Sequence, residues 1–541
     1  MKALTAAEMH EVDRLTTERH GIPSLQLMEN AGKSVFDYIR SFGGDAAASH
    51  ASVLCGKGNN GGDGYVVARL LQEAGLQPCV YLFADPQTLR GDAAENFLRL
   101  KKSGADIRII PDPDGWHATR GELAKSRVVV DALLGTGLKG RVEGLLASVI
   151  TDVNTISRDA TATRPDAVVA VDTPSGLPSD GESAAGPIIR AHATVTFTAP
   201  KIGQLVSRDA GSSGKLFVRE IGSPRELIEQ VGKSSVRWSE PEEFRDLPLI
   251  RKADSHKGNF GHVLIVAGSR GKTGAAILAG RAALRAGAGL VTIATADAVL
   301  PLVASAQPEF MTEPLLSTKL GTISAANLKA GRFSALAKNK TLLAIGPGLG
   351  THKETQRFVR SLVQKAEQPL LLDADGLNAF AGRAKEFAKR KSPQLAVTPH
   401  PGEMARLCGL SNDKVQSDRL GLALKSAKSW NAYVILKGFH TILATPDGRA
   451  FVNTTGNPGM AKGGSGDVLT GILAGMAAQF GPTNWERALA LGIFLHGLAA
   501  DDATASRAEA ALLSGEIADH LPETYRRFVA EIGRASCRER V

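Results

Sequence analysis

ASVLCGKGNNGGDGYVVARLLQEAG, residues 51–75, is the stretch that decides the fold. ASVLC is short, apolar and flanked by turn residues, which predicts a strand buried on both faces. GKGNNGGDG, 56–64, carries five glycines and reads as a loop, and YVVARLLQEAG reads as a helix stopping at Gly75. Strand, glycine turn and helix form the repeating unit of a parallel sheet. Working outward, PCVYLFA (78–84), RVVVDALLG (127–135), DAVVAVDTPSG (166–176) and HATVTFTAP (192–200) repeat the pattern of an apolar run followed by turn residues. Two helices are expected ahead of them over residues 5–40, the first with a Thr5–Glu8 capping box and the second with Ser24 as its N-cap. The front of the chain is therefore expected to be a Rossmann-like, three-layer α/β domain with helices on both faces of a parallel sheet.

The rhythm breaks in a polar, proline-punctuated stretch, SPRELIEQVGKSSVRWSEPEEFRDLPLIRKADSHKG (223–258), and resumes at Gly261. HVLIVAG, LVTIAT, TLLAIGPGLG, PLLLDADGLNAF, QLAVTPHPGEMARL and AYVILKGFHTIL are six further strand-then-turn segments. No sequence repeat relates the halves, so two different α/β domains are expected, over residues 1–222 and 245–525, with 223–244 as a linker. Length agrees, because 541 residues exceed one core at about 100–200 residues per domain.

Composition narrows the function classes. The chain is 43% hydrophobic and 22% charged, as globular proteins are, and its 58 glycines cluster after apolar runs, as ligand loops do. The net charge of +9 is spread out with no basic run interleaved with aromatics, which favours phosphorylated small molecules over nucleic acid. Cys55, Cys79, Cys408 and Cys537 show no CxxC spacing, against a zinc site or disulfide framework. The N-terminus lacks the apolar core of a signal peptide, and no apolar run approaches the ~18 residues of a spanning helix. A cytoplasmic enzyme without membrane contact, assembling as a homo-oligomer, is expected. The last ten residues, IGRASCRERV (532–541), look like an appended non-native tail.

Ligands of open α/β sheets sit beyond the carboxyl ends of the strands, and that is where the motifs fall. Gly56, Gly58 and Gly61 satisfy GxGxxG, with Asp85 spaced as a ribose-binding acid, so a hydride-transferring dehydrogenase is one reading. The local text is more specific. Asn59, Asn60, Gly61, Gly62, Asp63 and Gly64 set two amides and a carboxylate in the turn, where backbone N–H groups can cradle phosphate and side-chain oxygens suit a hard cation. Asp131 and Asp172 end two further strands, and with Asn60 and Ser175 the first could complete an all-oxygen monovalent cation site. Gly135, Thr136, Gly137, Leu138, Lys139, Gly140 and Arg141 would form a flexible loop, with Lys139 and Arg141 facing phosphates. An aspartate at a strand end is equally often just a helix cap.

GIPSLQLMENAG, GKGNNGGDGYVVAR, VVDALLGTGLKG and VAVDTPSGL together resemble the NAD(P)H-hydrate epimerase domain, the YjeF N-terminal domain, over about residues 1–220. The resemblance implies that Asn59 to Asp63, Gly135 to Arg141 and Asp172 bind the hydrated nucleotide, and that Asn60, Asp131 and Ser175 hold potassium. Inverting the hydroxyl-bearing carbon needs a positioned acid/base rather than a redox cofactor, and Asp172 is the residue expected to handle the proton.

In the second half, KGGSGD (462–467) leads into the apolar helix VLTGILAGMAA, an anion site at a helix N-terminus with Asp467 projecting beside it. GSRGKT (268–273) has Val266 where a P-loop needs glycine, which rejects a Walker-type triphosphatase. His400 stands between two prolines. These segments, with GPGLG, DADGLN and KGFHT, resemble the ADP-dependent NAD(P)H-hydrate dehydratase domain, of ribokinase-like fold, over about residues 245–525. The resemblance implies adenine nucleotide at Lys437, Gly438, Phe439, His440, Thr441 and Gly466, and hydrate contacts at Ala275, Gly348, His400 and Asp467. ADP as cosubstrate and Mg²⁺ follow, with Asp467 as the base that lets the ring hydroxyl attack the terminal phosphate. The implied substrates are hydrated NADH and NADPH (NADHX and NADPHX). A ribokinase-like small-molecule kinase and a silent nucleotide-binding regulator are the alternatives.

Overall fold

The computed structural model describes residues 1–48, 50–138, 140–157, 166–329, 332–481 and 484–538. They fall into two compact units, Met1–Trp238 and Ser239–Val541.

The first unit holds β1 (Ala51–Cys55), β2 (Cys79–Leu82), β3 (Asp106–Ile109), β4 (Val128–Ala132), β5 (Ala167–Val171), β6 (Ala193–Phe197) and β7 (Lys215–Arg219). They form one sheet in the order β3-β2-β1-β4-β5-β6-β7, every pair parallel. Alternate residues of one strand feed opposite cores. Val53, Val130 and Val169 pack with Leu71 and Phe97, whereas Leu54, Val129 and Val168 pack with Trp116 and Val149. A period of two with both faces buried is why these strands read as continuous apolar runs. The chain runs outward from β1 through β2 to β3, then crosses back to β4 on the other side of β1, and that switch point opens a crevice at the strands' carboxyl ends.

Three differences from the expectation have local causes. β3 (DIRI) and β7 (KLFVR) are sheet edges whose charged residues interrupt the apolar pattern, and the sequence reading passes over both. The loop expected over 56–64 is shorter, because the helix already begins at Asn59 and runs to Glu73 behind an extended Gly58. Its first turn presses on the strand end, and a Cβ on Gly61 would lie 2.0 Å from the carbonyl oxygen of Gly56. The capping box is present, with the Glu8 amide donating to Thr5 Oγ1 over 3.2 Å, while Ser24 is the first residue of its helix.

The expected linker is built into structure. Helix Arg225–Val231 buries Leu227 and Ile228 against Leu4, Met9 and Val12, and β8 (Val236–Trp238) hydrogen-bonds to residues 1–3. Phe244 belongs to the second unit's core, with its ring 5.6 Å from Phe494.

The second unit holds β9 (His262–Val266), β10 (Leu290–Ala296), β11 (Met311–Leu315), β12 (Leu342–Ile345), β13 (Leu370–Leu372), β14 (Leu395–Val397), β15 (Tyr433–Leu436), β16 (Thr441–Ala444) and β17 (Ala450–Asn453). They run β11-β10-β9-β12-β13-β14-β15-β16-β17, parallel up to β15 and antiparallel over the last two pairs. Helix Ser465–Phe480 is buried along nearly its whole length and packs on helix Thr273–Arg285. Their backbones approach so closely that a Cβ on Gly471 would sit 2.1 Å from the Ala279 carbonyl oxygen. That contact fixes the start of the buried helix, and with it Asp467. The last helix, Ser514–Arg538, continues past residue 532, and Ile532, 8% exposed, belongs to the core that the tail reading would leave out. No helix among the described residues is long and apolar enough to cross a membrane.

Candidate active sites

A cavity of about 910 Å³ occupies the crevice of the first unit. Asn59, Asn60, Asp63, Gly135, Thr136, Gly137, Leu138 and Asp172 line it, together with His10 and Asp13 from the first helix and Lys201 beyond β6. Gly61 and Gly62 are buried in the first turn of helix Asn59–Glu73. Arg141 lines a separate surface depression with Trp116 and Arg120, its guanidinium 3.7 Å from Glu143, and Gly140 is outside the cavity wall. Lys139 lies outside the described residues. Asp85, the acid a dehydrogenase would turn towards ribose, accepts from the Gln87 amide at 2.9 Å and caps a short turn.

Asp172 follows β5 in a left-handed conformation, φ 59°, which is uncommon for a residue with a Cβ. Its surroundings hold it there. Its amide donates to the Val195 carbonyl (2.8 Å), and Gln204 Nε2 donates to its own carbonyl (2.6 Å). The carboxylate so aimed accepts from the ammonium of Lys201 and from Thr196 Oγ1 at 3.0 Å. Lys201 is 1% exposed, and its Nζ also donates to Thr196 Oγ1 at 2.8 Å. A buried ammonium needs such a partner, since losing one half of a buried pair costs about 3–5 kcal/mol. Lys201 carries no motif in the sequence. Its one signal is its place directly after the strand-end segment HATVTFTAP.

Asp131 is fully buried and accepts from the Ser175 amide (2.8 Å), Ser175 Oγ (2.5 Å) and the Leu133 amide (3.3 Å). Burial outweighs these bonds and pushes its carboxyl up to about 6. Asn60 Nδ2 donates to the Leu134 carbonyl at 3.0 Å, an oxygen that Ser175 Oγ also approaches at 3.2 Å. Asn60, Asp131 and Ser175 therefore share one oxygen-rich pocket. No cationic side chain among the described residues pairs with Asp131, so this buried carboxylate would gain from a bound cation.

The second unit gathers its groups around Lys437, at the end of β15. Lys437 Nζ donates to Asp373 Oδ1 (2.8 Å) and lies 3.8 Å from Glu403. Asp373 also accepts from Thr398 (2.6 Å) and Thr470 (2.8 Å). Burial opposes the charge on Lys437, but Asp373 and Glu403 overcome it and raise the ammonium's pKa. A Cβ on Gly466 would sit 3.3 Å from that ammonium, which puts the glycine turn against it. Asp467, in the first turn of the buried helix, is pushed up to about 6 by burial and by Asp373, against the pull of Lys437. His400 caps helix Pro401–Cys408, its ring's pKa lowered chiefly by burial, 3.5 Å from the Glu403 carboxylate. Gly348 and Ala275 touch, since a Cβ on the glycine would meet the alanine's at 3.0 Å. Asp373 and Glu403 lie within motifs the sequence reading quotes but go unassigned there, because their roles depend on Lys437, more than thirty residues away in the chain.

The NAD(P)H-hydrate dehydratase family matches residues 263–523, and the YjeF-related protein N-terminus family matches residues 24–203. The bifunctional NAD(P)H-hydrate repair enzyme of Moorella thermoacetica is 43% identical over 539 residues, covering 98% of each chain. The chain belongs to this family of bifunctional NAD(P)H-hydrate repair enzymes. The Thermofilum pendens member is 40% identical, covering 97% of this chain and 96% of its own. A solved ADP/ATP-dependent NAD(P)H-hydrate dehydratase from Bacillus subtilis is 33% identical over 54% of this chain and 99% of that one, with a TM-score of 0.47. The expected architecture holds: a three-layer α/β unit with an all-parallel sheet in front, matching the YjeF-related N-terminal family, and a different α/β unit behind, matching the NAD(P)H-hydrate dehydratase family.

Within the repair enzyme's second unit, the segment Lys437 to Thr441 is shaped from behind by Arg419. Its guanidinium donates to the carbonyls of Phe439, His440 (3.2 Å), Leu436 (3.4 Å) and Lys437 (3.5 Å). The clamp holds Gly438 at φ 141° and His440 at φ 52°, and leaves the Phe439 ring 56% exposed and stacked on His440. A lysine is a point charge and cannot span four carbonyls. On the expectation that this segment takes the adenine nucleotide, Arg419→Lys should raise the nucleotide KM roughly tenfold, about 1.4 kcal/mol, while kcat and the hydrate KM stay within twofold. Initial rates over both substrates check this, and an unchanged nucleotide KM refutes the clamp.

Proposed function

We propose that the first unit interconverts the R and S hydrates of NADH and NADPH, and that the second converts the S hydrate back to the dinucleotide at the expense of ADP. The observation that carries this reading is Asp467. It is a carboxyl held near 6 at the mouth of a helix N-terminus, beside a buried lysine, where a proton acceptor and a phosphate cradle coincide.

In the proposed dehydration, Asp467 accepts the proton of the ring hydroxyl, and the oxygen bonds to the terminal phosphorus of ADP as AMP departs. The carbon–oxygen bond then breaks with phosphate as leaving group, and the neighbouring carbon gives up a proton to the departing phosphate, restoring the ring double bond. Lys437 and the amides after Gly464 balance the phosphate charge. Gly466 and the segment Lys437, Gly438, Phe439, His440 and Thr441 take the nucleotide, with the exposed Phe439 ring offering a face to the base. Ala275, Gly348 and His400 contact the hydrate. Mg²⁺ would neutralise the nucleotide phosphates. Glu403, whose carboxyl burial holds above its ordinary range, fits as the acid that the ion would keep ionised.

In the first unit, Asn59 to Asp63, Gly135 to Leu138 and Asp172 take the hydrate, and Asp172 handles the proton; Gly140 and Arg141, expected to join them, lie off the cavity wall. Asn60, Asp131 and Ser175 hold K⁺, which would fix the 133–138 turn at the cavity rim. Exchanging potassium for tetramethylammonium is expected to lower epimerisation at least tenfold, and Asp131→Asn to remove the remaining potassium dependence. Equal rates in both salts would exclude the ion. Free thiols at Cys55, Cys79 and Cys408 support the cytoplasmic reading. Exposed Met311 and Leu316 at the β11 edge support self-association.

The whole reading is tested by supplying chemically hydrated NADH, ADP and Mg²⁺ and following the return of NADH absorbance. Complete return requires both units. Return of only the S fraction removes the epimerase, and no return with ADP or ATP removes the dehydratase. Accumulation of a stable phosphorylated product would favour a small-molecule kinase.

A further inference from the structure

Epimerisation acts on both faces of one carbon, so a single group on one wall of the cavity is not enough. We propose that Asp13 is the second proton-transfer residue of the first unit's cavity, paired with Asp172 across the hydroxyl-bearing carbon of the hydrate. The proposal rests on the epimerase reading of that cavity.

Helix Ala6–His20 buries Met9, Val12, Leu15 and Thr16, and Asp13 falls inside this stripe, one turn after Met9. A carboxyl there is costly, because burying an unbonded polar group costs about 1–3 kcal/mol and an isolated charge more. Among the described residues, only the field of Lys201 and, weakly, His10 offsets that cost. Asp13 is too far along the helix to cap it, no salt bridge among the described residues engages it, and its Oδ1 is buried with no hydrogen-bond partner. Instead it lines the cavity with Met9 and His10 of its own helix. Burial pushes its carboxyl up to about 6, with Lys201 opposing, Asp172 adding to the rise, and His10 opposing weakly. Asp63, whose own carboxyl is held well above its ordinary range by burial, Asp172 and Asp13, faces the same space. Asp13 is thus a carboxyl that gives and takes a proton near neutral pH, while the Lys201 ammonium keeps hold of the Asp172 carboxylate.

The step balances without a redox partner. Asp13 protonates the departing hydroxyl, the carbon–oxygen bond breaks to release water, and the ring-nitrogen lone pair forms a carbon–nitrogen double bond. Water adds from the other face, and its proton passes to Asp172. Solvent exchange returns both carboxyls to their starting states, and the reverse direction exchanges their roles.

The test follows conversion of pure R hydrate to S hydrate by the full chain. Asp13→Asn is expected to lower kcat by about 10²–10³-fold, in the range of a lost general acid or base, with KM within threefold. The unchanged KM and an unchanged melting transition of the first unit report that this unit is folded, and S-hydrate dehydration by the same sample reports on the second. Asp13→Ala with added formate is expected to regain at least tenfold of the lost rate, which a merely structural role would not give. The wild-type kcat profile should bend near pH 6, and Asp13→Asn should remove that bend. Wild-type epimerisation with Asp13→Asn within threefold and the bend retained overturns the role of Asp13 alone. A wild-type chain that dehydrates S hydrate but does not epimerise overturns the underlying reading, and this inference with it. If Asp13→Asn does not fold, formate rescue of Asp13→Ala decides, and its absence in a folded variant counts against the proposal.

Discussion

Asp467→Asn is expected to lower nucleotide-dependent recovery of NADH from its S hydrate by about 10²–10⁴-fold, with the R-to-S epimerisation rate unchanged. The asparagine keeps the shape of the first turn and removes only the proton acceptor. Nucleotide binding should therefore hold or tighten slightly, because a negative charge has left an anion site that already contains Asp373 and Glu403. Stopped-flow absorbance measures the rate, and fluorescence titration with ADP measures the binding. A variant retaining a tenth of the rate would show that Asp467 orients the helix end and is not the base.

The pH dependence separates these roles further. With its carboxyl held at about 6, wild-type Asp467 is ionised above that value, so dehydration should fall as pH drops through 6. Stability runs the other way. A carboxyl whose folded pKa lies above its ordinary value of 3.8 favours the folded state most when protonated, below the unfolded value. That contribution disappears as pH rises through about 6. Asp467→Asn should accordingly melt higher than wild type at pH 8, and the two melting temperatures should converge at pH 4. Calorimetry of the ligand-free chain at both pH values checks the sign. No gain at pH 8 would mean that Lys437 already compensates the charge.

What the sequence made legible follows from where its signals are local. Central strands such as β1, β4 and β5 are fully buried, so their apolar runs are unbroken and easily read. Edge strands carry charges, and DIRI resembles a loop until β2 is seen beside it. Motif residues such as Asn60, Asp172 and Asp467 stand at strand or helix ends whose glycine-rich text marks them. Lys201, Asp373, Glu403, Arg419 and Asp13 act through partners far away in sequence. Lys201 is 29 residues from Asp172, and Lys437 is 64 from Asp373. A lone lysine after a proline, or an acid in a helical stripe, gives no local sign that burial will deny it water. Desolvation separates a solvated surface charge from a working one, and it is a property of the packed fold. The 223–244 stretch misleads for a related reason. Its prolines and charges punctuate short elements, and Leu227, Ile228 and Phe244 are too few to show periodicity, yet each fills a core.

The second large effect concerns the buried pair in the first unit. Asp172→Asn is expected to lower epimerisation at least 10²-fold, in the range of a lost acid–base group, and leave S-hydrate dehydration intact. It should also destabilise the first unit, because Lys201, 1% exposed, would lose the negative charge opposite it and keep only neutral acceptors such as Thr196 Oγ1 and the Phe197 carbonyl. The loss for breaking one half of a buried pair is about 3–5 kcal/mol. Lys201→Met should destabilise less, since the Asp172 side chain is 14% exposed against 1% for Lys201 and keeps the Thr196 hydroxyl as a donor. Combining the two changes removes both charges, so the double variant should be more stable than Asp172→Asn alone while remaining inactive. Stability and activity thus part company, and a double-mutant cycle on both readouts tests it. If the double variant recovers neither stability nor epimerisation, the pair works as one packing unit. If Lys201→Met alone retains full epimerisation, the lysine is dispensable for catalysis, and the backbone bonds to Val195 and Gln204 with the Thr196 hydroxyl suffice to aim the carboxylate.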